Sequence, residues 1–161
     1  MTAISGSCRD LIALSLIPEL GPAQVKAMVS VAGGTEGVFS LKGPEPARSF
    51  RSGSVEVSAV RGARESSRFK DELEYMDGEG IRAVSFLDEE YPAMLKEIYD
   101  PPPVLFFKGD LSMERPAVAV VGSRRCSAYG SNMACRISLD LAARGVTVVS
   151  GMARGIDTAA H

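Results

Sequence analysis

Tryptophan is missing altogether, and aromatic residues make up only 6% of the 161 positions. That scarcity argues against a broad aromatic platform on which successive bases stack. Cysteine is sparse as well. Cys8, Cys126 and Cys135 are odd in number and form no CxxC pair, so they read as free thiols of a reducing cytosol and exclude a disulfide framework or a zinc ribbon. There is one histidine, His161, which leaves little for a metal centre or a Ser/His/Asp set. No apolar run approaches the roughly 20 residues that span a bilayer, and no basic segment leads into a long apolar one near the start. The expectation is a cytoplasmic protein, neither secreted nor embedded in a membrane. A large charge excess is lacking too, since the formal net charge is -2.

What is present is an ordinary globular composition, 45% hydrophobic and 24% charged, in a chain long enough for one medium domain or two small ones. The charge is unevenly spread. From Leu111 to His161 six arginines (115, 124, 125, 136, 144 and 154) stand against Glu114, Asp140 and Asp157, a balance of +3, which leaves -5 for the first 110 residues. This surplus is entirely arginine, the side chain whose planar fork fits a phosphate. Arg136 and Arg144 read as solvated helix charges.

Residues 1–42 read as a small all-helical module. Asp10 can cap a helix carrying Leu11, Ile12, Leu14 and Leu16, which Pro18 ends. Pro22 suits the first position of a second helix, Gly33-Gly34 stops it, and a short third helix runs through Val38, Phe39 and Leu41. Residues 43–57, with Gly43-Pro44-Glu45-Pro46, Arg48 and Arg51, have linker composition. Residues 58–161 read as the second domain. A helix is predicted over 58–78, a strand from Ile81 to Leu87, a turn through Tyr91-Pro92, a short helix near Met94 and Leu95, and a strand over Val104–Phe107 that Pro101-Pro102-Pro103 holds extended.

The clearest stretch begins at Pro116. Ala117–Val121 is an apolar run that predicts a buried parallel strand. Gly122–Gly130 is a loop, and Ser127 caps a helix whose inner face uses Met133, Ala134, Ile137 and Leu141. Arg144 and Gly145 end that helix, Val146–Val149 is the next strand, and Gly151–Gly155 is a second glycine loop before a helix from Ile156. Two parallel strands joined by a helix bring both loops to one sheet edge, where open α/β sheets bind ligands. Each loop enters a helix N-terminus, which favours an anion.

The candidate phosphate site is therefore Gly122, Ser123, Arg124, Arg125, Ser127, Tyr129, Ser150, Gly151, Arg154 and Gly155. The glycines permit close backbone approach, the serines offer hydroxyls and the arginines charge. Blander readings stand beside these. Gly151 and Gly155 serve tight turns, Asp157 is a helix cap rather than a catalytic acid, and Tyr129 either stacks on a base or covers the helix start. His161, one turn after Asp157, can pair with it. Cys126 has no neighbouring base to make it a nucleophile. The loop carries neither GxGxxG nor GxxxxGK[ST], which argues against a dinucleotide site and a P-loop. The residues offer phosphate binding without bond-breaking machinery.

Val120-Val121-Gly122-Ser123-Arg124, Ser127, Tyr129-Gly130, Ser150–Asp157 and Ala160-His161 resemble the DNA-processing family DprA (Smf). Tyr91-Pro92, Leu95, Ile98, Asp100-Pro101-Pro102, Leu105 and Gly109 resemble the entry to its Rossmann-like domain. Residues 8–41 resemble its SAM-like or helix-hairpin-helix module. The resemblance implies an α/β fold, here an incomplete Rossmann-like parallel sheet cut short at His161, behind the helical module. It implies single-stranded DNA as ligand, bound without marked sequence preference, loading of the RecA recombinase in natural transformation, and a homodimer in the full-length protein. It implies no cofactor, no metal and no enzymatic activity. Arg124 would be a backbone phosphate ligand, with Ser123 and Gly151–Gly155 lining the same pocket. Two alternatives are a nucleotide-processing, phosphoribohydrolase-like Rossmann enzyme and a protein-interaction module with a vestigial DNA site.

Overall fold

A computed structural model of the chain describes residues 4–40, 56–111 and 115–161. Its contacts fall into two units, Met1–Leu111 and Ser112–His161.

The first unit opens with α1 (Gly6–Ser15). Its N-cap is Ser5, whose Oγ accepts the Cys8 N–H at 3.0 Å. Asp10, expected in that role, lies inside the helix and is buried. Its carboxylate accepts from Arg64 instead, because a distant guanidinium offers two charge-assisted hydrogen bonds where a cap offers one. α2 (Pro22–Ala32) starts at Pro22 as predicted, and the Gly21 N–H donates to the Gln24 side chain at 2.6 Å. Gly33 ends it at φ 72°, the left-handed conformation that a glycine adopts without strain. α3 (Thr35–Ser40) follows. The expected linker falls outside the described residues except at its end, where Val57 opens α4 (Val57–Gly62).

The single helix predicted over 58–78 is two pieces. A 3-10 turn (Ala63–Glu65) follows α4, and α5 (Ser67–Gly78) starts afresh at Ser66. Ser66 is extended, and its hydroxyl both accepts the Phe69 N–H and donates to the Ala63 carbonyl, so it ends one segment and caps the next. β1 (Arg82–Ser85) and β2 (Val104–Phe107) pair antiparallel, from Arg82 opposite Phe107 to Ser85 opposite Val104. Between them lie α6 (Ala93–Lys96) and Tyr91, which is buried and donates its hydroxyl to the Pro102 carbonyl.

Composition placed a boundary at 43–57, with everything beyond it in one parallel-sheet domain. The contacts divide the chain elsewhere. Leu11, Ile12, Leu14, Val25 and Met28 of the first helices share one apolar cluster with Val60, Phe69, Met76 and Val104. Three short helices bury too little surface to stand alone, and they find the rest of their core on α4, α5 and the antiparallel pair.

The second unit is a strand-helix-strand-helix unit. β3 (Ala117–Ala119) and β4 (Thr147–Val149) pair parallel, with Ala117 opposite Thr147 and Ala119 opposite Val149. α7 (Ala128–Ala143) joins them, and α8 (Ile156–Ala160) follows β4. Ser127 caps α7, its Oγ accepting the Gly130 N–H at 3.1 Å. Arg144 donates to the Asp140 carbonyl, and Gly145 at φ 76° turns the chain, both as predicted. The burial differs from expectation. β3 is exposed rather than buried, and on α7 Ala134 and Ser138 are buried while Ile137 is 47% exposed. Two strands of three residues give a sixteen-residue helix little to lie on.

Candidate nucleic-acid interface

Parallel pairing sends both strand-end loops to the same edge, and the structure ties them together at several points. Val120 N–H donates to the Val149 carbonyl at 2.9 Å, extending the ladder one step. The Ser150 hydroxyl donates to the Val120 carbonyl at 2.7 Å. Ile156 N–H donates to the Ser123 carbonyl at 3.2 Å.

Gly155 shows how close the loops approach. Its φ is 90°, and a Cβ there would stand 2.2 Å from the Ser123 carbonyl oxygen and 2.9 Å from Arg124 backbone. At Gly122 a Cβ would meet the Ile156 side chain at 2.7 Å. These glycines do permit close approach, as predicted, yet what approaches is the other loop. Sequence reasoning placed a ligand there because spacing alone does not show which body fills the space.

Asp157 is the residue whose role was missed. It is 7% exposed, and α8 has Gly155 as N-cap with no side-chain cap. The carboxylate accepts the Gly122 N–H at Oδ1 (3.3 Å) and the Gly151 N–H at Oδ2 (3.2 Å). Of the three candidate glycines, Gly122 and Gly151 thus have their amides held by a side chain of the protein. His161 does not pair with Asp157; its ring Nε2 is 3.4 Å from the Ser150 carbonyl. Position 157 gave a signal, a carboxylate in the first turn of a helix behind a glycine loop, but a local cap explained it equally well.

The remaining site residues form an exposed polar rim. Ser123, Arg124, Arg125, Ser127, Tyr129 and Arg154 are exposed, while Ser150 and Gly155 are half-buried. Ser123 Oγ accepts the Arg125 N–H at 3.1 Å, so Ser123 and Ser127 both use an oxygen locally and keep a hydroxyl hydrogen to donate. Among the described residues no acidic side chain pairs with Arg124, Arg125 or Arg154. Tyr129, in the first turn of α7, is 75% exposed. Met152, between the glycines of the second loop, is 76% exposed at φ 53°, the one non-glycine residue in that region among the described residues. No group of histidine, cysteine or carboxylate side chains among the described residues is arranged to hold a metal.

Residues 82–161 match the family model described as DNA recombination-mediator protein A. The chain belongs to the DprA/Smf family. It is 50% identical over 78 residues to the DNA processing protein DprA of Streptococcus pneumoniae, a stretch covering 48% of this chain and 27% of that protein. It is 33% identical over 175 aligned positions to a putative DprA of Mycobacterium tuberculosis, covering 98% of this chain and 43% of the relative. The X-ray structure of the Streptococcus pneumoniae DprA superposes with a TM-score of 0.67 at 29% identity, over 99% of this chain and 53% of that one. The fold is accordingly that of DprA, an α/β chain with a Rossmann-like parallel pair. The names of the family model and of these relatives speak of DNA processing and recombination. The chain spans less than half the length of these curated relatives. Among the described residues no helix is long and apolar enough to cross a membrane.

Proposed function

We propose that the two strand-end loops hold the phosphate backbone of single-stranded DNA. In this reading Arg124, Arg125 and Arg154 supply the charge, and Ser123 and Ser127 donate hydroxyl hydrogens. Tyr129 contacts a base or sugar from the first turn of α7. Gly122, Ser150, Gly151 and Gly155 build the floor rather than touch the ligand.

The observation that carries the reading is the arrangement of charge. Three exposed arginines without an acidic partner among the described residues stand around one sheet edge, on the basic part of an otherwise acidic chain. Exposed guanidinium groups without an acidic partner are open to an anion. A polyanion along them releases its counterions and neutralises the repulsion. Contact with phosphates alone positions a strand without reading its sequence, so binding is largely sequence-neutral. The wider role in this reading goes beyond those names: the protein acts in the cytoplasm, as a homodimer, delivering strands to the RecA recombinase during recombination and DNA uptake, without catalysis and without a cofactor.

The test is fluorescence anisotropy of labelled oligo-dT with wild type and Arg124→Ala over a salt series. Wild-type affinity should fall steeply with salt, with a logarithmic slope of about -0.7 for each phosphate contacted. Arg124→Ala should weaken binding and make the slope shallower. Binding of a nucleoside monophosphate in place of the oligomer would replace this reading with a nucleotide-processing enzyme.

A further inference from the structure

One buried carboxylate joins the two loops of the site. Asp157 takes the Gly122 N–H on one oxygen and the Gly151 N–H on the other, and these amides belong to different loops. The next residue towards the N-terminus, Ile156, donates its own N–H to the Ser123 carbonyl, and Gly155 leaves no room for a Cβ against Ser123 and Arg124. Arg124 lies two positions after Gly122, and Arg154 three after Gly151. The carboxylate therefore anchors the roots of both basic arms. A Cβ on Gly151 would stand 3.0 Å from Asp157 Oδ2, so the second loop is seated against the carboxylate itself.

We infer that Asp157 is a positioning residue of the DNA site, one that holds the two loops at a fixed separation so that Arg124 and Arg154 are offered together to one stretch of phosphate backbone. It also fills the glycine amides, which directs an incoming phosphate to the guanidinium groups. The inference rests on the single-stranded DNA reading above, and it makes an unusual prediction of sign. Asp157 carries negative charge at the centre of a basic site. On charge alone, neutralising it should strengthen binding to a polyanion. As a positioning residue, its neutralisation should weaken binding.

Asp157→Asn separates these cases. The amide keeps the shape, but its NH2 faces an N–H where the carboxylate had an oxygen, so one of the two loop bonds becomes a donor meeting a donor. Losing a buried bond to a charged acceptor corresponds to about tenfold or more in an equilibrium constant. The full chain should keep its circular-dichroism spectrum. Amide exchange followed by NMR should be about tenfold faster at Gly122 or Gly151. The Kd for oligo-dT should rise about tenfold, and the salt slope should become shallower by about 0.7 for each phosphate that the variant no longer neutralises. Asp157→Glu keeps the charge on an arm one methylene longer and should fall between wild type and Asn in both readouts. It carries the same two tests where the Asn variant does not fold.

Unchanged or tighter oligo-dT binding by Asp157→Asn overturns the inference, as does unchanged exchange at both glycines. A wild-type chain that binds no DNA, with glycine amides that Asp157→Asn exposes, overturns the DNA reading while the loop anchoring stands.

Discussion

Arg64 grips the buried carboxylate of Asp10 from 54 residues further along the chain, its Nε and Nη2 each 2.7 Å from one carboxylate oxygen. The same guanidinium reaches Glu36 at 2.8 Å and lies 3.9 Å over the Phe39 ring. The hydrogen bonds that Arg64 donates to Asp10 come first among the effects that raise the Arg64 pKa above its ordinary value, against an opposing effect of burial. One side chain thus ties α1, α3 and the 3-10 turn.

Arg64→Ala should strand a buried charge on Asp10. Breaking a buried pair from one side costs about 3–5 kcal/mol, and the lower part of that range applies here because Arg64 is a third exposed. The Asp10→Asn, Arg64→Met double variant should recover part of the loss, since it removes both charges. Urea denaturation of the three proteins measures this, and equal stability of Arg64→Ala and wild type would contradict it.

Asp88 predicts a pH dependence. Burial raises its carboxyl, but donation from the Ser85 N–H and hydroxyl, and from Ser5 and Ser7, outweighs burial and leaves the group below its ordinary value. A depressed folded pKa stabilises above the unfolded value and loses that contribution as pH falls through the folded one. Asp88→Asn should therefore be less stable than wild type by about 1–3 kcal/mol at neutral pH. The gap should close below about pH 4. Denaturation midpoints at pH 7, 5 and 3 read it directly.

The three cysteines should differ in reach. Cys8 is fully buried, and burial first, then the nearby Asp88 charge, pushes its thiol up to about 12. Cys135 is exposed and Cys126 half-buried. Ellman's reagent at pH 8 should modify Cys135 first and Cys126 more slowly, leaving Cys8 untouched until denaturant is added. Rapid release of three equivalents from native protein would contradict the core described for α1.

Gly155→Ala tests the contact between the loops. The new methyl would fall 2.2 Å from the Ser123 carbonyl at a backbone φ of 90° that alanine rarely adopts. A strained backbone of this kind costs about 1–3 kcal/mol, before the clash is counted. The variant should lose oligo-dT affinity and melt earlier in the second unit, while Gly78→Ala, where nothing lies within 4 Å of the added Cβ, should do neither.

What was legible in the sequence was what a few neighbouring residues decide. Pro22, Gly33, Ser127, Arg144 and Gly145 all bound their helices as predicted, because a cap is a contact within one turn. The parallel order of β3 and β4 was legible from the helix between them. Asp10 and Asp157 were both read as caps, and both carboxylates serve partners that only the folded chain brings near: Arg64 in one case, Gly122 in the other. The break at Ser66 had a local signal, a serine three residues before Phe69, but apolar spacing on either side concealed it. Arg124, Arg125 and Arg154 are exposed, as charged side chains at loop positions commonly are. What lies against Gly122, Gly151 and Gly155 was not legible, because close approach is decided by residues brought together only in the folded chain.

The Asp157 bonds to Gly122 and Gly151 have a thermodynamic corollary. Loops that are already fixed have no ordering entropy left to surrender when a strand arrives. Association should then resemble the docking of rigid surfaces. Calorimetry of oligo-dT binding should give a heat-capacity change too small for coupled folding, and the association rate should be set by electrostatic steering, rising as salt is lowered.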